Sequence, residues 1–197
     1  MTRSQLLYAG YGMYNRTFDV TEKVWQSYQA GQRRFKATND AFGDPARGFD
    51  KVLFVLFADH RGLQRGWIAR ENDEETLVVL PDNLTLGDRF LPRVARPSYL
   101  VHCSWGLGGS VNNETETAKN QIGRGLPRMT AVWSFFSSDP APRRNKFLVL
   151  LCSEDQPEAR YRRTPEMQVI PEVKDHTHEK YRYVYNDWRV WWDKVWR

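Results

Sequence analysis

Only two cysteines, Cys103 and Cys152, occur in 197 residues, and each sits in an apolar stretch that reads as strand. So sparse a set excludes the disulfide framework of a small secreted domain and points to buried free thiols in a reducing compartment. Long apolar runs are missing too. The N-terminal stretch Met1-Thr2-Arg3-Ser4-Gln5-Leu6-Leu7-Tyr8-Ala9-Gly10 lacks the uninterrupted apolar core of a secretory signal. No segment approaches the roughly 20 apolar residues of a membrane span, so a soluble, cytoplasmic protein is the expectation. Nor is there a large excess of one charge. The 29 basic and 24 acidic residues leave a net +5, with 14 basic and 12 acidic groups in residues 1 to 98 and 15 and 12 in the rest. That even spread excludes a basic arm or tail and leaves only a weak, general affinity for polyanions.

Catalytic and cofactor signatures are absent as well. His176-Thr177-His178, beside Asp175 and Glu179, alternates as ligands on one strand face would. No CxxC or HExxH accompanies it, and a solvated polar loop is the simpler reading. Asp59-His60 ends an apolar run, where catalytic groups often sit, but no nucleophile with a defined partner goes with it. Gly106-Leu107-Gly108-Gly109-Ser110 has neither the P-loop lysine nor the dinucleotide-fold spacing, and reads as a turn. No cofactor, no metal and no enzymatic activity are expected.

What the chain does contain is a match to itself. Leu7-Tyr8-Ala9-Gly10-Tyr11-Gly12 aligns with Val101-His102-Cys103-Ser104-Trp105-Gly106 at an offset of 94 (105 minus 11). Phe42-Gly43-Asp44-Pro45-Ala46 and the run Lys51-Val52-Leu53-Phe54 align with Phe136-Ser137-Ser138-Asp139-Pro140-Ala141 and Lys146-Phe147-Leu148-Val149 at an offset of 95 (139 minus 44). Downstream, Val78-Val79-Leu80-Pro81 and Gln168-Val169-Ile170-Pro171 close each copy in this reading. The fold class expected is mainly β with short helices (α+β): two tandem repeats of one β-rich module plus a C-terminal amphipathic helix. Copy one covers 1–81, a linker with some strand character 82–98, copy two 99–171, and a Tyr/Trp-rich strand and helix 172–197.

Local chemistry fills in each copy. Asp19 is placed to cap a helix over Val20 to Tyr28, with Glu22 completing a capping box and Gly31 ending it. Asn113 to Lys119 takes the same place in copy two. Asp44-Pro45 and Asp139-Pro140 favour turns, because proline presets its own φ and bars helix at the residue before it. The runs Val52 to Phe57 and Phe147 to Cys152 are apolar on both faces, the mark of central strands.

The stretch from Asn39 to Phe57, with Phe42, Asp44, Pro45, Gly48 and Lys51 ahead of an apolar strand, resembles a small domain of unknown function found alone and at the C-terminus of certain mitochondrial J-proteins. Asp19-Val20-Thr21 and Leu80-Pro81 match it too. The resemblance covers about residues 8 to 81 and extends faintly to 100–171, where Arg143 replaces the glycine of the turn. It implies a module for scaffolding or protein interaction.

Eight tryptophans and nine tyrosines are the excess that a fold explains least. Trp25, Trp67, Trp105 and Trp133 lie within repeat elements and read as core. Trp188, Trp191, Trp192 and Trp196, with Tyr183 and Tyr185, crowd the terminal segment, either as a lid over both modules or as a binding surface. The leading expectation is a non-catalytic, lectin-like carbohydrate or general ligand-binding protein that uses these aromatics on glycans or a protein partner. A nucleic-acid binder is the first alternative, using Arg33, Arg34 and Lys36, Arg143, Arg144 and Lys146, and Arg160, Arg162 and Arg163. The second is an assembly protein that forms homo-oligomers through its C-terminal aromatics.

Overall fold

The computed structural model describes residues 3–87, 100–123, 131, 136, 138–152 and 166–172. In the first half, strand β1 (Ser4–Met13) turns through Tyr14-Asn15 into β2 (Arg16–Asp19), and helix α1 (Thr21–Gln29) follows. Then come β3 (Arg34–Phe35), a single helical turn α2 (Asn39–Phe42), β4 (Val52–Ala58), β5 (Gln64–Arg70), β6 (Val78–Val79) and β7 (Leu84–Leu86). The second half runs β8 (Leu100–Leu107), β9 (Ser110–Asn113), α3 (Thr115–Gly123), β10 (Phe147–Cys152) and β11 (Glu166–Pro171). The protein is mainly β with short helices.

One sheet has the order β2-β1-β4-β5, with β7 lying parallel to the start of β1, and a second has the order β11-β10-β8-β9. β3 and β6 form a separate two-stranded ladder. The double-sided apolar runs sit where their pattern demands, with β4 and β10 each inside a sheet. Phe54 and Leu56 on β4 meet Phe147, Val149 and Leu151 on β10 in a core shared by both sheets. Leu53 and Val55 point the other way, into a core with Val24 and Tyr28 of α1 and with Phe35 and Val78 of the small ladder. Leu148 and Leu150 pack outward with Trp105 and Ala118 of α3.

The two sheets are stitched at two edges by the same device. Tyr14 N–H donates to Val169 C=O at 3.0 Å and Val169 N–H returns the bond at 2.9 Å; Ile68 and Gly108 exchange bonds of 3.0 and 2.7 Å in the same way. Tyr14 and Gly108 both open their hairpins at positive φ, 53° and 60°.

Other contacts recur in parallel. The Thr21 hydroxyl accepts from Ala9 N–H and Asp19 accepts from Thr21 N–H; Thr115 accepts from Cys103 N–H and Asn113 from Thr115 N–H. Most telling is a buried lysine in each half. Lys51 Nζ lies 3.1 Å from both Asp44 and Glu71, and Lys146 Nζ lies 3.1 Å from both Asp139 and Glu172. Each glutamate also accepts from its lysine's own backbone N–H. Burial alone would lower the Lys51 ammonium's pKa, but the hydrogen bonds and charges of Asp44 and Glu71 outweigh it and hold the group above the ordinary lysine value.

Several expectations need correction. Val78–Pro81 and Gln168–Pro171 are not equivalent: Pro171 pairs with Phe147 just as Arg70 pairs with Val52, whereas Val78–Val79 pair with Arg34–Phe35. Two apolar runs ending in proline had matched by composition only. The capping box does not form, since Glu22 accepts from Gln26 further along α1 while Asp19 alone serves the helix start. The linker's strand character resides in Leu84–Leu86, which belong to the first sheet. The expected C-terminal strand and helix lie outside the described residues.

The two lysine clusters should be of comparable importance. Lys51→Ala and Lys146→Ala each leave a nearly buried glutamate unpaired, and each should lower unfolding free energy by about 3 kcal/mol or more. Urea denaturation of the two variants checks this; a loss well under 1 kcal/mol in either would contradict it.

Candidate functional site

Among the described residues, four of the six basic side chains singled out from the sequence are engaged in framework contacts. Arg33 stacks its guanidinium 3.9 Å from the Tyr28 ring centroid and pairs with Asp82 at 3.4 Å. Lys36 pairs with Glu74 at 3.0 Å, and Arg144 reaches from the second half to Glu75 at 3.4 Å and Asp73 at 3.8 Å. Lys36 and Arg144 thus converge on one acidic turn, Asp73–Glu75, which neutralises them. Lys146 is corrected outright as a phosphate contact, because its side chain is only 3% exposed and held between Asp139 and Glu172. Arg34 and Arg143 are exposed. Arg160, Arg162 and Arg163 lie outside the described residues, as do Tyr183, Tyr185, Trp188, Trp191, Trp192, Trp196, Trp133 and the His176-Thr177-His178 run.

Of the remaining motifs, Asp59 serves its turn. Desolvation acts to raise its carboxyl, but the bonds it accepts from the N–H groups of Arg61 and Leu63 and from Arg65 together outweigh this and hold it below the usual range. Gly106–Ser110 forms the β8–β9 hairpin. Among the described residues no group of three or more His, Cys, Asp or Glu side chains is arranged to hold a metal, and no helix is long and apolar enough to cross a membrane. Cys103 and Cys152 are both buried and form no disulfide, and burial, together with the nearby Glu114 and Cys152 charges, pushes the Cys103 thiol well up. Trp105 is fully buried, whereas Trp25 and Trp67 pack against the core from its margin.

A surface that the motif search missed lies at the first half's hairpin end. Phe18 on β2 is 47% exposed and Phe49, in the turn before β4, 44%. A Cβ at Gly43 would lie 3.3 Å from the Phe18 ring, so that ring rests over one end of the 43–49 turn. At the other end Tyr14 meets Phe49 edge-on, ring centroids 5.3 Å apart. Alternate residues of a strand share a face, which puts exposed Arg16 beside Phe18, and exposed Arg47 stands in the turn itself. The second half has a hairpin of the same register and a turn with the same bond, but different side chains. Register places Ser110 and Asn112 where Arg16 and Phe18 stand, since Met13 pairs with Arg16 and Leu107 with Ser110, while Tyr11 pairs with Phe18 and Trp105 with Asn112. The turn bonds Phe49 N–H to Ala46 C=O and Arg144 N–H to Ala141 C=O make Arg144 the counterpart of Phe49 and Pro142 that of Arg47. Extending the offset of the first repeat block would have paired Phe18 with Asn112 from sequence; the exposure of Phe18 was not legible there.

A second polar group is buried inside. His102 on β8 is fully buried, with Nδ1 3.0 Å from Gln64 Oε1 and Nε2 2.8 Å from Ser104 Oγ. Nδ1–H donating to Gln64 and Nε2 accepting from the serine hydroxyl satisfy a neutral ring at both nitrogens. Burial lowers its pKa from 6.5 to about 4.

Compared with protein-family models, curated proteins and solved structures, the chain matches none.

His102 sets a pH dependence of stability. Its unfolded form takes up a proton near 6.5 and its folded form only near 4, so the contribution is intact above about 6.5 and is lost as pH falls toward 4. The shift corresponds to about 3 kcal/mol at most. Urea titrations at pH 7 and pH 4.5 should show a fall that is much smaller in His102→Gln; an equal fall in both would assign the acid sensitivity elsewhere.

Proposed function

We propose that this chain is a non-catalytic binding protein built from two copies of one module, whose first copy carries a recognition surface for a protein partner. One observation carries the reading. Phe18 and Phe49 stand nearly half exposed at positions where the second half, with the same strand register and the same turn bond, has Asn112 and Arg144. The fold therefore does not require an aromatic there, and exposed phenylalanine is retained at the cost of leaving apolar surface in water. Tyr14, at a positive φ where its counterpart is Gly108, packs against the shared core and supports Phe49 from that side.

The buried charges support a framework role rather than chemistry. Lys51 and Lys146 are each occupied by two carboxylates, and His102 by Gln64 and Ser104. The resemblance to the J-protein C-terminal domain fits this reading, since its Phe, Asp, Pro, Gly and Lys positions coincide with the turn and lysine cluster that present Phe49. The terminal aromatics Tyr183, Tyr185, Trp188, Trp191, Trp192 and Trp196 are proposed as a second contact region, toward the same partner or another copy of the chain.

The test replaces the two rings with the second half's own residues. Phe18→Asn with Phe49→Arg should leave the thermal transition within a few degrees of the parent while abolishing retention of the protein partner in paired affinity captures. Identical captures from parent and variant would sink the proposal. Glycan-array or oligonucleotide binding that survives the double substitution would favour the carbohydrate or nucleic-acid reading instead.

A further inference from the structure

We infer that the surface formed by Tyr14, Arg16, Phe18, Arg47 and Phe49 recognises an acidic peptide segment carrying apolar or aromatic side chains. This rests on the binding reading above and adds the chemistry of the partner.

Charge decides the class. Many of the protein's cations are paired within the fold: Arg33, Lys36, Arg65, Arg70, Lys119 and Arg144 all face carboxylates. Arg16 and Arg47 are exposed, and no carboxylate among the described residues pairs with either. The acids nearest them in the chain are already engaged. Asp44 is held by Lys51 at 3.1 Å, Asp50 by Arg70 at 2.7 Å, and Asp19 accepts from Thr21 N–H. Two exposed arginines thus stand in the same strand and turn as Phe18 and Phe49, and each guanidinium can bind a carboxylate bidentately. The second half replaces the whole set with Gly108, Ser110, Asn112, Pro142 and Arg144, so these five positions differ together.

A peptide fits better than a nucleic-acid strand. Affinity for a strand grows with the number of phosphates neutralised, and the two phosphate contacts that Arg16 and Arg47 can make supply little of what such binding needs. A peptide can place one or two carboxylates on the arginines and an apolar side chain among the rings.

The experiment pans a random dodecapeptide phage library on the full chain, with counter-selection on the Phe18→Asn, Phe49→Arg variant. The selected peptides should be enriched in Asp and Glu adjacent to Phe, Trp or Leu. Their affinity, read by fluorescence anisotropy, should fall at least tenfold in Arg16→Glu, Arg47→Glu, whose melting temperature shows that it folds. Selected peptides that are neutral or basic, or that bind the charge-reversed variant equally, overturn the inference. So does a labelled oligothymidylate that binds the parent more tightly than any selected peptide. If the parent's protein partner is lost from the Phe18→Asn, Phe49→Arg variant while the selected peptides lack acids, the binding reading stands and the acidic chemistry fails.

Discussion

A four-stranded sheet whose inner strands are apolar on both faces cannot be stable with one face in water. β4 and β10 impose that constraint on their halves. Each sheet has a nine-residue helix on one side, α1 or α3, and that helix covers a single face. The other face, bearing Val52, Phe54 and Leu56 in the first half and Phe147, Val149 and Leu151 in the second, needs a partner. Each sheet is the other's partner. Burial of several large side chains at about 25 cal/mol per Å² of apolar surface makes this shared core a major favourable term, and the paired edge bridges at Tyr14–Val169 and Ile68–Gly108 set its alignment.

Complementary side chains fit the two inner faces together. A Cβ at Gly10 would come within 2.6 Å of Met167 Sδ, and one at Gly66 within 2.7 Å of Ser104 Oγ. By register Gly10 is the counterpart of Ser104, as it pairs with Asp19 where Ser104 pairs with Asn113. One crossing therefore sets glycine against a large residue, and the other sets serine against glycine. Two first halves placed face to face would leave a void there and two second halves would clash, so the halves are shaped for each other. The lysine clusters act at a different level. They fasten the proline turn before each central strand to the end of the neighbouring strand, β5 or β11, and in the first half that turn carries Phe49.

The features legible in the sequence are those with a short-range signature. Double-sided apolarity marked β4 and β10; Asp-Pro followed by lysine marked the turn; the two aromatic-glycine blocks fall in strands β1 and β8. Lysine in an apolar run was visible as a motif, but its partners Glu71 and Glu172 were not, because strand pairing brings them close. The same limit explains the basic clusters: a run such as Arg143-Arg144-Asn145-Lys146 looks uniform in sequence, yet it divides into an exposed arginine, an inter-half ion pair and a buried ammonium. The match of Val78–Pro81 to Gln168–Pro171 failed since apolar-proline endings carry no information about pairing. Exposure of Phe18 depends on β2 lying at the edge of its sheet, and that is a property of the sheet order.

The two halves share one core and stand or fall together. Hydrogen exchange in Phe54→Ala measures this directly. Phe54 lies in the first half, so its truncation, worth about 3 kcal/mol or more in a packed core, should reduce protection of the β8 and β10 amides in the second half by the same free energy as that of β1 and β4. Loss of protection confined to β1, β4 and β5, with β8 and β10 unchanged, would show two independent domains and contradict the account.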